Sequence, residues 1–199
     1  NEEIIKKQFN IKLKIDPCYM MKSIKNKLEI KHTKDAHLKD GLALTKFIFW
    51  IKNTNKKITE IDAKNKLEKY RKLNKDYLFP SFDTIAGTGS NGAIIHYRVN
   101  KDSNKIIKKN DIFLCDSGGQ YNFGTTDVTR TICFVKQKKN IKNIFTRVLK
   151  GHIAVAQTNL NKTYIGKKID LRARKYLREV GLDYPHGTGH GVGFFLNVH

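Results

Sequence analysis

Asp116 and Asp127 are the residues whose types and placement first suggest chemistry. Each lies in an apolar or Thr-rich stretch, IFLCDS and TTDVTRTICFV, that reads as a β-strand, where aspartate is disfavoured. Side chains alternate along a strand, so the two carboxylates can face each other across one hairpin. Facing carboxylates repel, and one pKa rises, unless a cation sits between them. Spacing alone also allows a plainer arrangement, with one aspartate capping a turn and the other exposed. A third segment adds weight. His186-Gly187-Thr188-Gly189-His190-Gly191-Val192-Gly193 carries two imidazoles in a glycine-rich run, where the backbone can approach closely and take unusual dihedrals. Imidazole suits Mn, Fe, Zn and Co alike, and carboxylates favour harder ions. Three of the 7 histidines (His186, His190 and His199) fall near the end of the chain, and His96 in GAIIHY is a fourth candidate.

The elements that must position these residues follow from periodicity. Residues 1–32 are Lys/Ile-rich without a clear period and read as the end of a preceding domain and a connector punctuated by Pro17; residues 33–199 read as the functional domain. Thr33 is expected to cap a helix whose apolar positions are Leu38, Leu42, Thr45 and Phe49. Thr59 starts a second helix, with Asp62 three residues on as a capping-box variant and Ala63, Leu67 and Tyr70 on one face. Pro80 marks a change to extended structure. Strands are expected at 82–86, 93–97, 112–117 and 125–135, the last two joined as a hairpin through Gly118, Gly119 and Gly124. Ile141, Ile144, Phe145, Val148, Leu149, His152 and Val155 predict a helix over 141–160, and a shorter one over 169–180 stops at Gly181. Helices, then antiparallel strands, then helices is an α+β order, not a doubly wound parallel sheet.

Composition bounds the rest. The 199 residues suffice for one ordinary domain, and 39% hydrophobic with 10% aromatic residues argues against disorder. No stretch approaches the ~20 apolar residues needed to span a bilayer, and the first residues carry no secretory pattern. The chain is expected to be an internal piece of a longer protein. Lys and Arg outnumber Asp and Glu by 39 to 18, a net charge of +21. The lysines are scattered and accompany surplus Asn and Ile, as AT-rich coding produces on a tolerant surface; a functional basic patch is the other reading. Aromatics do not interleave with the basic residues as a nucleic-acid stacking platform needs. Cys18, Cys115 and Cys133 form no CxxC, which suggests reduced thiols and a cytosolic setting.

Taken together, NGAIIHY (91–97), DSGGQY (116–121), GTTDVTRT (124–131), VLKGHIAVA (148–156), GLDYPHGTGHGVG (181–193) and FLNVH (195–199) resemble the aminopeptidase P family in order and approximate spacing. The resemblance is to its large, cytosolic, three-domain type and covers roughly 34–199. It implies an α+β pita-bread catalytic domain with a dinuclear site, most often manganese. By motif match, Asp116, Asp127 and His190 are metal ligands. His96 resembles the substrate-orienting histidine near the scissile carbonyl, and His199 a second catalytic, substrate-contacting histidine. His186 resembles a pocket residue beside the penultimate proline, and His190 also borders the substrate. The implied reaction is hydrolysis of an N-terminal Xaa-Pro bond by a metal-bridging hydroxide. A cytoplasmic homodimer acting on peptides with proline in second position is implied as well, with no membrane or nucleic-acid partner.

In the resembling family two glutamates beyond the second histidine complete the ligand set, and this sequence ends at His199 before either. The 199 residues alone are therefore expected to be inactive. Gly119, Pro185 and Phe194 are packing-level departures from the pattern. Methionine aminopeptidase and prolidase are alternatives on the same fold, and a non-catalytic pita-bread binding protein is an alternative of another class.

Overall fold

The computed structural model describes residues 14, 16–162, 165–195 and 197–198. Two helices lead. Pro17 does not interrupt a connector: it sits in the first turn of α1 (Pro17–Ser23), where its missing N–H costs nothing, and the Asp16 side chain accepts from the Cys18 N–H. The next helix, α2 (Lys27–Asn53), begins six residues before the expected Thr33. Its cap is Asn26, which accepts from the Leu28 and Glu29 N–H groups while Glu29 accepts from the Asn26 N–H.

The expected face of α2 is also wrong. Leu38, Leu42 and Phe49 are exposed, and the helix buries Ala36, Asp40, Ala43, Leu44, Phe47 and Ile51. A charged residue on the core face hid that stripe from an apolar count. Asp40 is buried because Arg71, at the end of α3 (Glu60–Arg71), meets it with Nε at 2.7 Å and Nη2 at 3.0 Å. In α3 the cap is as expected: the Thr59 side chain accepts from the Asp62 N–H, Asp62 answers to the Thr59 N–H, and Ala63 and Leu67 face inward.

Among the described residues six strands follow, all antiparallel, in two three-stranded sheets ordered β1–β4–β5 and β2–β3–β6. The strands are β1 (Tyr77–Pro80), β2 (Ile85–Thr88), β3 (Ile112–Ser117), β4 (Gly119–Tyr121), β5 (Gly124–Thr125) and β6 (Val128–Cys133). The expected hairpin exists as β3 paired with β6, but its far end continues into β4 and β5, and in the other sheet β4 pairs with both β1 and β5. The strand expected at 82–86 lies later, in β2. The one expected at 93–97 is absent: Gly89–Ala93 is a 3-10 turn followed by an irregular loop, and His96 has φ +54°. Two glycines and an asparagine in GSNGA supply the turn that the apolar run IIHY had masked.

Alternation along β3 decides what faces where. Phe113, Cys115 and Ser117 are buried against the helices, so Ile112, Leu114 and Asp116 point to the other face. Phe113 and Cys115 join Leu44, Phe47, Ile51, Ile58, Ala63, Leu67, Ala86 and Ile132 in the main core. A smaller cluster of Ala36, Tyr77 and Tyr121 lies under the β1–β4–β5 sheet. The Asp40–Arg71 pair ties helices to strands, since Arg71 Nη2 donates to Ser117 Oγ at 3.0 Å and the Tyr121 hydroxyl donates to Asp40 at 2.8 Å. The chain closes with α4 (Lys139–Ala156) against α5 (Gly166–Arg178), where Gly151 lies so close to Ala173 that a β-carbon would come 2.2 Å from its carbonyl oxygen. Gly181, with φ +71°, ends the α5 turn as expected.

Candidate metal and substrate cleft

The two aspartates share a face but are not directly opposed. Asp116 is registered against Thr129, whose hydroxyl donates to Asp116 Oδ1 at 2.8 Å, and Ser117 against Val128. Asp127 lies two residues before Thr129, hence on the same side and diagonal to Asp116. The reason is that the strand crosses between sheets just before Asp127. There Thr126 is buried and pinned: its N–H donates to the Gly119 carbonyl at 2.9 Å, the Gly119 N–H donates to Thr126 Oγ1 at 2.8 Å, and the Ser81 hydroxyl donates to the Thr126 carbonyl at 2.8 Å. Gly118 makes room for this crossing, because a β-carbon there would meet the Thr126 carbonyl oxygen at 1.9 Å.

His190 reaches the same place from the other end of the sequence. Its Nε2 is 3.4 Å from Asp127 Oδ2, and its Nδ1–H donates to the Gly191 carbonyl at 2.9 Å. The contact aims Nε2 at a carboxylate oxygen, and in the neutral imidazole its lone pair there is one that a cation between the two would satisfy. The loop is held by Arg174 on α5, which sequence reasoning missed. Its Nε donates to Asp170 at 2.9 and 3.0 Å, Nη1 to Asp183 at 2.8 Å and to the Tyr184 carbonyl at 2.7 Å, and Nη2 to the His186 carbonyl at 2.7 Å. Tyr184 stacks on His186 at 4.6 Å and lies under the Arg174 guanidinium. Hydrogen bonds from Arg174, the Tyr184 N–H and Arg178 depress the Asp183 carboxyl to about 2. The spacing of Asp170 and Arg174, four residues apart in one helix, was the available signal; nothing in it named the loop as their target.

A cleft of about 280 Å³ is lined by Asp116, Asp127, His190, His96, Arg98 and Val198, among others. An adjoining groove of about 600 Å³ runs between Ile94 and Ile95 on one wall and Tyr184, Pro185 and His186 on the other. Asp116, Asp127, His96 and His190 thus share one cleft, and His186 sits in the groove beside it. His199 lies outside the described residues; Val198, just before it, is buried in the cleft wall. Among the described residues no three His, Cys, Asp or Glu side chains are drawn to the mutual distances of a formed metal cluster. The donor set of two carboxylates and an imidazole nonetheless fits a divalent first-row ion.

A family model described as metallopeptidase family M24 matches residues 31–199. The chain belongs to metallopeptidase family M24. Among curated M24 relatives, a probable Xaa-Pro aminopeptidase P of Podospora anserina is 48% identical over 182 residues, covering 89% of this chain and 27% of that protein. An uncharacterized peptidase of Schizosaccharomyces pombe is 47% identical over 188 residues, covering 93% and 31%. The chain therefore spans about a third of the length of the curated relatives it matches. Of solved structures, the X-prolyl aminopeptidase of Caenorhabditis elegans, described as a cytosolic enzyme with a di-nuclear active site, aligns with a TM-score of 0.85 at 37% identity. That alignment covers 92% of this chain and 31% of the other. The prolidase of Pyrococcus furiosus aligns at 0.77 and 28% identity over 90% of this chain and 51% of its own. The α+β architecture is the pita-bread fold of these M24 peptidases, as the motifs implied.

Proposed function

We propose that these residues form part of the catalytic domain of a dinuclear-metal aminopeptidase that hydrolyses the bond between an N-terminal residue and a proline in second position. The observation that carries this reading is convergence. Asp116, Asp127, His190 and His96 come from four separate segments and line one cleft. Asp116, Asp127 and His190 would hold two divalent ions, with manganese our choice of metal. Such ions, when bound, lower the pKa of water toward neutrality and polarise the scissile carbonyl.

The chain's own residues do the rest. His96, on the cleft wall, would donate a hydrogen bond to the carbonyl oxygen as charge builds on it. His199 would contact the substrate from the segment that follows Val198. His186, stacked on Tyr184, would flank the proline ring, with His190 at its metal end. Proline fixes φ and lacks an N–H, so its recognition rests on shape and on apolar or aromatic contact, which the groove offers. We also propose a cytoplasmic homodimer without a membrane or nucleic-acid partner, and a domain beginning near residue 33. Among the described residues no helix is long and apolar enough to cross a membrane.

These 199 residues bring two carboxylates and one imidazole to two divalent cations. The resembling family's two further glutamates would supply the missing charge, so this segment alone is expected to be inactive. Appreciable turnover of a Xaa-Pro dipeptide by the 199-residue chain with manganese would sink that part of the reading. For the whole protein, Arg-Pro-Pro, Gly-Pro and Met-Ala peptides separate the alternatives. Cleavage of Arg-Pro-Pro after its first residue is expected, whereas preference for Gly-Pro would favour the prolidase reading that the Pyrococcus furiosus likeness keeps in view.

A further inference from the structure

We propose that Glu60, in the first turn of α3, is the positioning residue for His96. Glutamate at a helix start ordinarily faces water and complements the helix dipole. Glu60 is instead fully buried. Its Oε1 accepts from the Thr88 N–H at 2.7 Å, and its Oε2 from the Tyr97 hydroxyl at 2.8 Å and the Lys105 N–H at 3.1 Å. The Asn91 side-chain amide lies 3.0 Å from both oxygens.

These partners bracket His96. Asn91 and Tyr97 are buried ends of a segment whose middle, 93–96, is exposed, and the Asn91 amide also meets the Tyr97 hydroxyl at 2.8 Å. His96 itself has φ +54°, a conformation that crowds any β-carbon and persists where the surroundings over-determine it. One carboxylate holds the residue after His96, the turn before it and the end of β2. It thereby fixes the direction in which the imidazole leaves the backbone. Its hydrogen bonds go to the loop and to the end of β2, and it is not among the residues that line the cleft.

This inference rests on the proposed role of His96 at the scissile carbonyl, and the test separates the two. Glu60→Gln keeps the shape but turns one acceptor into a donor facing the Thr88 N–H, or the Tyr97 hydroxyl and Lys105 N–H. In the full-length protein carrying these residues, Glu60→Gln is expected to lower kcat about 10–100-fold, the scale of an ångström's misplacement. KM and bound metal should stay near the parent's. His96→Ala should lower kcat by a similar or larger factor, and the double variant should be no slower than His96→Ala alone. If His96→Ala leaves kcat unchanged, the assigned role of His96 falls. If His96→Ala is slow and the double variant shows the product of the two losses, Glu60 does not act through His96. Tyr97→Phe, which removes one hydroxyl and keeps the buried ring, carries the same cycle if Glu60→Gln fails to fold.

Discussion

Replacing Gly118 by alanine tests the crossing that sets Asp127 against Asp116. A β-carbon there would lie 1.9 Å from the Thr126 carbonyl oxygen and 2.3 Å from Ser81 Oγ, where real contacts stay beyond 3.0 Å. The serine can rotate away; the carbonyl belongs to a buried backbone and must retreat by about 1.1 Å. That motion breaks or stretches the Ser81 bond to Thr126 and the paired bonds between Thr126 and Gly119. Overpacking of this kind costs about 1–3 kcal/mol, and each buried hydrogen bond lost adds about 1 kcal/mol. A total of roughly 2–5 kcal/mol is a large share of a domain's stability. At about 2–4 °C per kcal/mol for this chain length, the melting temperature should fall on the order of 10 °C. The same shift carries Asp127 away from Asp116, so at the proposed metal site manganese binding should weaken about 10–100-fold. The comparison is Gly41→Ala: nothing lies within 4 Å of its new methyl, and alanine favours the interior of α2 by about 1 kcal/mol. Urea melts followed by circular dichroism, with a manganese titration, measure both variants. A Gly118→Ala midpoint equal to the parent's, with Gly41→Ala stabilised, would refute the reasoning.

Arg71→Met strands the buried Asp40 carboxylate and should cost about 3–5 kcal/mol in a denaturant melt, while adding Asp40→Leu should restore much of it; strictly additive losses would count against a coupled pair. The Asp183 carboxyl is held at about 2 chiefly by Arg174, below its unfolded value, so its contribution is complete above about pH 4 and disappears as pH falls toward 2. The side-chain carboxyl carbon signal of Asp183 in NMR should therefore hold position from pH 6 to pH 4 and shift between 4 and 2; a titration midpoint above pH 4 would contradict this. Burial pushes the Cys115 thiol up to about 12, whereas Cys18 is exposed, so iodoacetamide at pH 8 should alkylate Cys18 promptly and reach Cys115 only after unfolding. Prompt labelling of Cys115 in native protein would show that the main core opens readily.

Local chemistry was legible in the order of residues. Thr59 with Asp62, Gly181 after a helix and the alternation of IFLCDS each depend on neighbours a few positions apart, so a linear reading recovers them. The same alternation put Asp116 on the face opposite Phe113 and Cys115, and the motifs around His96, Asp127 and His190 named the family. Face selection on α2 was not legible, because Asp40 becomes a core residue only when Arg71, 31 positions away, neutralises it. The strand assigned to 93–97 failed for a related reason. Its apolar run mimics a strand, and the carboxylate that bends it away lies at Glu60. Whether two carboxylates oppose or sit diagonally depends on where one ribbon passes from sheet to sheet, and that is decided by the space Gly118 leaves beside Thr126. Sequence thus determined the donors available to the cleft; their direction came from contacts between residues far apart in the chain, whose energies exist only once the chain has closed on itself.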